Sequence, residues 1–442
     1  MRILCALLIG LAPALAADEF GRVLRRAKSA DRYVRRQALQ SLADGTIRPA
    51  TTGQRSKLSR TMATYLTKKS LGTDRALAVR ALGRIQSAES YGKLARWLKK
   101  ERDDRALDAL EAVFAQAPEE WFDTLMASFR KTKPVEVIQR AIYLRMAGAN
   151  RSEKARALIR TRAKMVDNWV IHATAVEALR RDKSKAVVPL CMELLDIEDR
   201  AISGAALQVL SERTGKRFGR DFVAWKTWWK TRELTESLDK AIEKAEEVSP
   251  TPRPETKTVT REEQQQPVRA YFFGMPLRGR KVVFVFDISA SMRKKLPLAL
   301  QQLMRSIKAL PPRSRFEVIF FNEFVWPWRG RLSRADPVTK ALLIEKLKNL
   351  EIKSYTNLFD AIERGLRMEP DEIFVISDGT PNRGRKKFTR DILNEIERLN
   401  PNRKVAIHCV SVVRTVDGDD HVDLLRKIAE ANRGQSVQRT LY

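Results

Sequence analysis

KVVFVFDISASM, residues 281–292, decides how the C-terminal part of this chain is read. Val282 to Phe286 are five apolar residues in a row, all β-branched or aromatic, and Ile288 adds a sixth beyond Asp287. A run this continuous suits a strand buried on both faces, as in a parallel sheet covered by helices. Yet it leads into a carboxylate and two hydroxyls, Asp287, Ser289 and Ser291, spaced two apart. Burying such groups without partners costs several kcal/mol, so the fold must satisfy them.

The chain around this stretch alternates between strand and helix patterns. Strands are expected at 281–287, 315–322, 371–378 and 404–413, and helices at 292–307, 339–350, 357–368, 388–399 and 421–432. That order predicts an α/β, Rossmann-like domain over 268–442 with a mostly parallel central sheet flanked by helices. In such sheets ligands sit beyond the carboxyl ends of the strands. Two expected strands end in an acid there, Asp287 and, in ISDG, Asp378, while SYTN offers Thr356 at the start of the 357–368 helix. Two carboxylates and three hydroxyls are hard oxygen donors. The hydroxyls bind a cation too weakly alone and the two acids repel each other, and a divalent hard cation resolves both problems.

These residues resemble the von Willebrand factor type A (VWA) domain, over about residues 268–442. The resemblance rests on Asp287-x-Ser289-x-Ser291 after VVFVFD, on Thr356 in TNLFDA, and on Asp378 in IFVISDG. It implies a complete metal-ion-dependent adhesion site that holds Mg²⁺, or Mn²⁺ or Ca²⁺ in its place, with a partner's Asp or Glu completing the coordination. Two positions depart from the family's habit without being ligands: Ala290 stands where glycine is frequent in DxSGS, and Tyr355 precedes the threonine where glycine is common. The lead-in YFFGMPLRGR (271–280) resembles that of bacterial exported proteins in which this domain follows helical repeats. Arg293, Lys294 and Lys295 follow the first motif, and Arg383, Arg385, Lys386 and Lys387 the last. Such a basic rim would steer an acidic ligand toward the ion.

Residues 20–235 follow a helical rhythm. DRYVRRQALQSL (31–42), DRALAVRALGRI (74–85) and DRAISGAALQVL (199–210) share Asp-Arg, then apolar residues three, seven, eight and eleven after the Asp. Those offsets build one face of an amphipathic helix, with the Asp where an N-cap would sit. Looser copies begin near Asp104, Pro134 and Asn168, at intervals that suit a two-helix repeat. The segment resembles the HEAT-like repeat family, which implies a solenoid used for scaffolding or binding. TGKRFGRDFVAWKTWWK (214–230) closes the array; Trp225, Trp228 and Trp229 share one helix face. They suit a cap on the last repeat's apolar edge, or a stacking platform.

The chain has 442 residues, 84 Lys and Arg against 54 Asp and Glu, and a net charge of +30. The excess is spread: residues 1–250 hold 48 basic and 31 acidic side chains, residues 251–442 hold 36 and 23. A basic surface of this kind favours acidic partners, anionic envelope polymers among them, although no zinc finger or RNP motif marks a nucleic-acid module. At the N-terminus Arg2, the apolar run Ile3–Leu15 and Ala14-Leu15-Ala16 read as a signal peptide over 1–16. The run is too short to span a bilayer, so an exported, periplasmic, envelope or extracellular protein is expected. Cys5 falls inside it; Cys191 and Cys409 remain, read as separate buried thiols rather than a disulfide. The scattered His172, His408 and His421 read as packing or surface residues. SPTPRPETKTVTREEQQQP (249–267) lies in an extended linker spanning 236–267.

The function expected from these residues is a non-enzymatic binding or adhesion protein. Two alternatives stay open. One is a scaffold whose ion is purely structural, with binding on the solenoid. The other is a phosphotransfer-type hydrolase with Asp287 as nucleophile, a reading weakened because Ser289 stands where the second acid would be.

Overall fold

The structure is a computed structural model that describes residues 19–67, 69–165, 168–184, 186–232, 270–413 and 420–440. The expected signal peptide and linker lie outside the described residues. The chain divides into two compact units: residues up to Lys183 with Pro337–Glu345, and Ser184–Asp336 with Lys346 onward.

The N-terminal region is helical, and in the first unit the helices come in pairs. Arg32–Asp44, Gly72–Ile85, Asp104–Phe114, Val137–Ala149 and Trp169–Ala178 pack on one another in chain order. Between them run Thr52–Ala63, Ala88–Leu98, Glu119–Arg130 and Glu153–Lys164. The caps follow the sequence only in part. Asp31 accepts from the backbone N–H of Tyr33 and Val34, as expected of an N-cap. Asp74 does not cap: the N-cap of its helix is Leu71, and Asp74 is buried in the first turn, where it accepts from Arg35 Nε at 3.2 Å. Asp103, not Asp104, caps the next helix. The Asp74-Arg75 pair thus links neighbours, since Asp74 reaches back to Arg35 and Arg75 forward to Glu101 at 2.9 Å. Close packing is visible at Gly148, where a Cβ would lie 2.4 Å from that of Ala178. His172 is buried and bonds Ala163 O at 2.7 Å, a packing role as expected.

In the second unit Trp225 is fully buried, donates Nε1–H to Gly219 O at 3.1 Å, and meets Phe218 and Trp228 edge-on. Trp228 and Trp229 are half-buried beside it. Cys191 and Cys409 are buried free thiols.

The sheet of this unit explains the rest. A hairpin, β1 (Ala270–Phe272) with β2 (Met275–Leu277), precedes it. Then come β3 (Lys281–Asp287), β4 (Arg315–Phe321), β5 (Val325–Pro327), β6 (Ser333–Arg334), β7 (Glu372–Ser377), β8 (Ala406–Val413) and β9 (Ser436–Thr440). The order across the sheet is β5-β4-β3-β7-β8-β9, with β6 on β4. β4, β3, β7, β8 and β9 are parallel neighbours, and only β5 and β6 run antiparallel. Every residue of β3 after Lys281 is buried, so both faces are covered, as the unbroken apolar run requires. Val283, Val285, Ile373 and Ile407 pack into a core with the helices Leu358–Leu366, Thr389–Leu399 and Asp420–Ala431. On the other face Phe272, Phe284, Phe374 and His408 stack across four strands.

Two buried titratable groups belong to this framework. Glu317 in β4 accepts from the N–H of Val318, Arg329 and Arg331 at 2.8–3.1 Å, pinning the hairpin between β5 and β6; burial pushes its carboxyl up to about 7. His408 lies flat on Phe374 with centroids 4.6 Å apart, and its Nδ1 accepts from Gln435 N–H at 3.1 Å. Burial, helped by the charge of Arg278, lowers its pKa to about 4. The unfolded chain protonates this histidine near pH 6.5 and the folded chain does not until about 4, so stability falls as pH drops between those values. Glu317 works in the opposite sense, because a raised carboxyl favours the fold toward low pH. His408→Gln is therefore expected to remove about 3 kcal/mol of acid destabilisation between pH 7 and pH 4, read from denaturant unfolding at both pH values against wild type.

Candidate metal-binding site

β3 and β7 lie side by side and parallel, so the acids that follow their last apolar residues emerge at the same sheet edge. Asp287 is fully buried. Its Oδ1 accepts from Ser289 N–H at 2.8 Å and its Oδ2 from the Ser377 hydroxyl at 2.5 Å. Burial pushes its carboxyl up to about 7; the hydrogen bonds from Ser377 and Ser289 act against this, and the charge of Asp378 adds to it.

Past Asp287, Ile288 N–H bonds Phe321 O, and a short 3₁₀ turn over Ala290–Met292 redirects the chain. That turn brings Ser289 Oγ and Ser291 Oγ to 3.0 Å and points Ser291 Oγ at Asp378 Oδ1, 2.6 Å away. Thr356 approaches from the loop before the helix Leu358–Leu366. A Cβ placed on Gly379 would lie 3.6 Å from Thr356 Oγ1 and 3.8 Å from Ser291 Oγ, so these hydroxyls flank the backbone just after Asp378. Thr356 is held by its backbone: its N–H donates to Asn382 Oδ1 at 2.8 Å, and its carbonyl accepts from Asn382 and Arg383 N–H. All five residues expected from the sequence thus converge at one edge of the sheet.

Three neighbours were not foreseen in that role. Ser377 supports Asp287, and Asn382 locks Thr356. Lys295 is the third: its ammonium lies 2.6 Å from Asp378 Oδ2, with both side chains almost wholly buried. Ser377 sits directly before Asp378 in sequence, which is the one local signal for it; nothing in the run Arg293-Lys294-Lys295 distinguishes its last member. The basic rim is also partly spent. Arg385 pairs with Asp360 at 2.9 Å and with Glu363, and Lys386 lies 3.9 Å from Glu395. Arg293 and Lys294 stay exposed, and Arg383 covers the exposed ring of Tyr355, whose φ of +69° is the left-handed conformation that glycine adopts most easily.

The donor set suits a hard divalent cation: carboxylate and hydroxyl oxygens only, both carboxylate side chains out of water, and donors supplied by three separate loops. Among the described residues no group of three or more His, Cys, Asp and Glu is arranged to hold a metal, so a cation here needs the hydroxyls. His408 is opposite Phe374 in the sheet register, inside the stack rather than at the acidic edge.

Residues 280–438 match the family model described as the von Willebrand factor type A domain. Human inter-alpha-trypsin inhibitor heavy chain H1 is 23% identical over 176 residues, 38% of this chain and 16% of that protein. Heavy chain H3 of Pongo abelii is 31% identical over 96 residues, 22% of this chain and 11% of that protein. The chain thus spans less than a fifth of the length of these relatives. A crystal structure of an engineered protein covers 45% of this chain and 99% of its own, at 15% identity and a TM-score of 0.24, too low to bear on the fold. The family match, the parallel sheet and its two acidic strand ends agree that residues 280–438 form a VWA domain.

Proposed function

We propose that this protein is an exported, non-enzymatic binding protein. In this reading its VWA domain takes a divalent cation, Mg²⁺ first, on Asp287, Ser289, Ser291, Thr356 and Asp378, and engages an acidic side chain of a protein partner. The observation that carries it is the convergence of a fully buried carboxylate, the hydrogen-bonded pair Ser291–Asp378 and the Thr356 hydroxyl at one sheet edge. VWA domains commonly bind a divalent metal at such a site, and the cation supplies a Lewis-acidic point that an incoming carboxylate can ligate. Asp287 would hold the innermost negative charge, oriented by Ser377 and Ser289; Ser291 and Thr356 would offer neutral oxygens; Asp378 would be held from behind by Lys295. Export rests on the signal-peptide pattern of residues 1–16, and the domain scheme is 20–235 as HEAT-like repeats, 236–267 as linker and 268–442 as the VWA domain. The paired helices and the links made by Asp74 and Arg75 support a repeat scaffold that presents the domain or offers a second surface.

Thr356→Val removes one oxygen while keeping the side-chain shape. Titration with Mn²⁺ followed by electron paramagnetic resonance is expected to show about tenfold weaker binding than wild type, the scale of one lost neutral ligand. Equal affinity would remove Thr356 from the ligand set. The scaffold alternative, with a purely structural ion, expects the same loss of Mn²⁺ together with loss of the fold.

A further inference from the structure

Lys295 is the third of three consecutive basic residues, and the only one of them that is buried. The 3₁₀ turn Ala290–Met292 carries it inward: Lys295 N–H bonds Met292 O at 2.8 Å, immediately before the helix Leu296–Ala309. Its Nζ lies 2.6 Å from Asp378 Oδ2, while the other oxygen of that carboxylate takes the Ser291 hydroxyl. Its side chain is 8% exposed and that of Asp378 is fully buried, so this is a desolvated ion pair and not a surface contact. Desolvated pairs interact strongly, and removing one partner leaves the other charge uncompensated.

An ammonium in this place has two electrostatic consequences. A site with two carboxylates and no further charge attracts a divalent cation with both negative charges; with Lys295 it does so with one. Once the cation is in place, two carboxylates would leave the site neutral, whereas Lys295 leaves it with one positive charge, which one carboxylate from outside would balance. We propose that Lys295 sets the ligand preference of this site: it weakens the hold on the cation and makes the loaded site selective for a monoanionic carboxylate. This inference rests on the cation reading above and adds the charge of the partner group that the loaded site takes.

The test uses the full chain as wild type, Lys295→Gln, Lys295→Met and Lys295→Arg. Glutamine removes the charge while keeping an N–H donor, on a side chain one bond shorter, so it remains informative if Lys295→Met fails to fold. Mn²⁺ affinity is measured by titration, and then acetate is titrated into the Mn²⁺-loaded proteins while the relaxation of metal-bound water is followed. Lys295→Gln is expected to bind Mn²⁺ about tenfold more tightly, since a unit charge a few ångströms away is worth at least that factor even under strong screening. The same variant is expected to bind acetate about tenfold more weakly, while Lys295→Arg behaves as wild type. Unchanged or weaker Mn²⁺ binding by Lys295→Gln overturns the proposal, as does unchanged acetate binding. If wild type itself takes up no Mn²⁺, the cation reading fails, a result distinct from a failure of the role of Lys295.

Discussion

Asp287→Ala is expected to abolish divalent-cation binding, with a loss of at least about a hundredfold in Mn²⁺ affinity. Asp287 is a fully buried carboxylate at the end of β3, and without it a cation would meet only Asp378, whose charge is already paired with Lys295. The effect on the fold should be much smaller. Removing the carboxylate leaves the Ser377 hydroxyl and the Ser289 N–H without their acceptor, a cost of about 1–3 kcal/mol. It also relieves the burial that pushes the Asp287 carboxyl up to about 7, which offsets part of that cost. Asp287→Ala should therefore stay folded by circular dichroism while losing Mn²⁺ in titration. A variant that unfolds outright would favour a purely structural ion, and hydrolysis of a phosphoester by wild type but not by the variant would revive the aspartyl-nucleophile reading.

The largest expected stability effect lies elsewhere, at Gly434. A Cβ there would stand 1.8 Å from the carbonyl oxygen of Ile407 and 2.4 Å from its carbon. The obstacle is the backbone of β8, so no side chain can rotate away, and the turn into β9 would have to shift bodily. Gly434 N–H also bonds Ala429 O at 2.9 Å, which fixes the turn against the last helix. Gly434→Ala is expected to cost about 3 kcal/mol, at the upper end of overpacking penalties, measured as a lower midpoint in urea. A variant as stable as wild type would mean that β9 is not seated on β8 as described.

The large-scale fold was legible because the central parallel strands carry unbroken apolar runs. VVFVF, VIFF and IFVIS leave no alternation to misread, and β3, β4, β7 and β8 lie within two residues of where the pattern puts them. β9 was missed for the opposite reason: SVQRT, at the sheet's edge, has little apolar content to bury. β5 and β6 are three- and two-residue pieces, below the length at which periodicity carries a signal. In the helical unit the pattern of apolar residues placed the helices that begin at the motif copies but not those between them, and it could not tell a capping Asp from a bridging one. Asp31 and Asp74 begin the same motif, and only tertiary packing turns Asp74 toward Arg35.

The site divides along the same line. Asp287, Ser289, Ser291, Thr356 and Asp378 could be named because each stands at a strand end or a helix start, where backbone direction fixes the side chain's region. Lys295 could not be separated from Arg293 and Lys294, since which of three adjacent cations points inward depends on one 3₁₀ turn. For the same reason the rim seen in sequence is more basic than the rim in space: Arg385 is committed to Asp360 and Glu363. The buried Glu317 lay within an expected strand, and its role appears only when the hairpin backbone folds back on it.

The most direct test of the cation site is a pair of thermal unfolding curves for the full chain, one in EDTA and one in excess Mg²⁺ or Mn²⁺. A ligand that binds only the folded state stabilises it by about 2.7 kcal/mol at a hundred times its dissociation constant. A higher midpoint with either cation is expected, reversed by EDTA and absent in Asp287→Ala; superimposable curves for wild type with and without the ion would rule out a cation at Asp287.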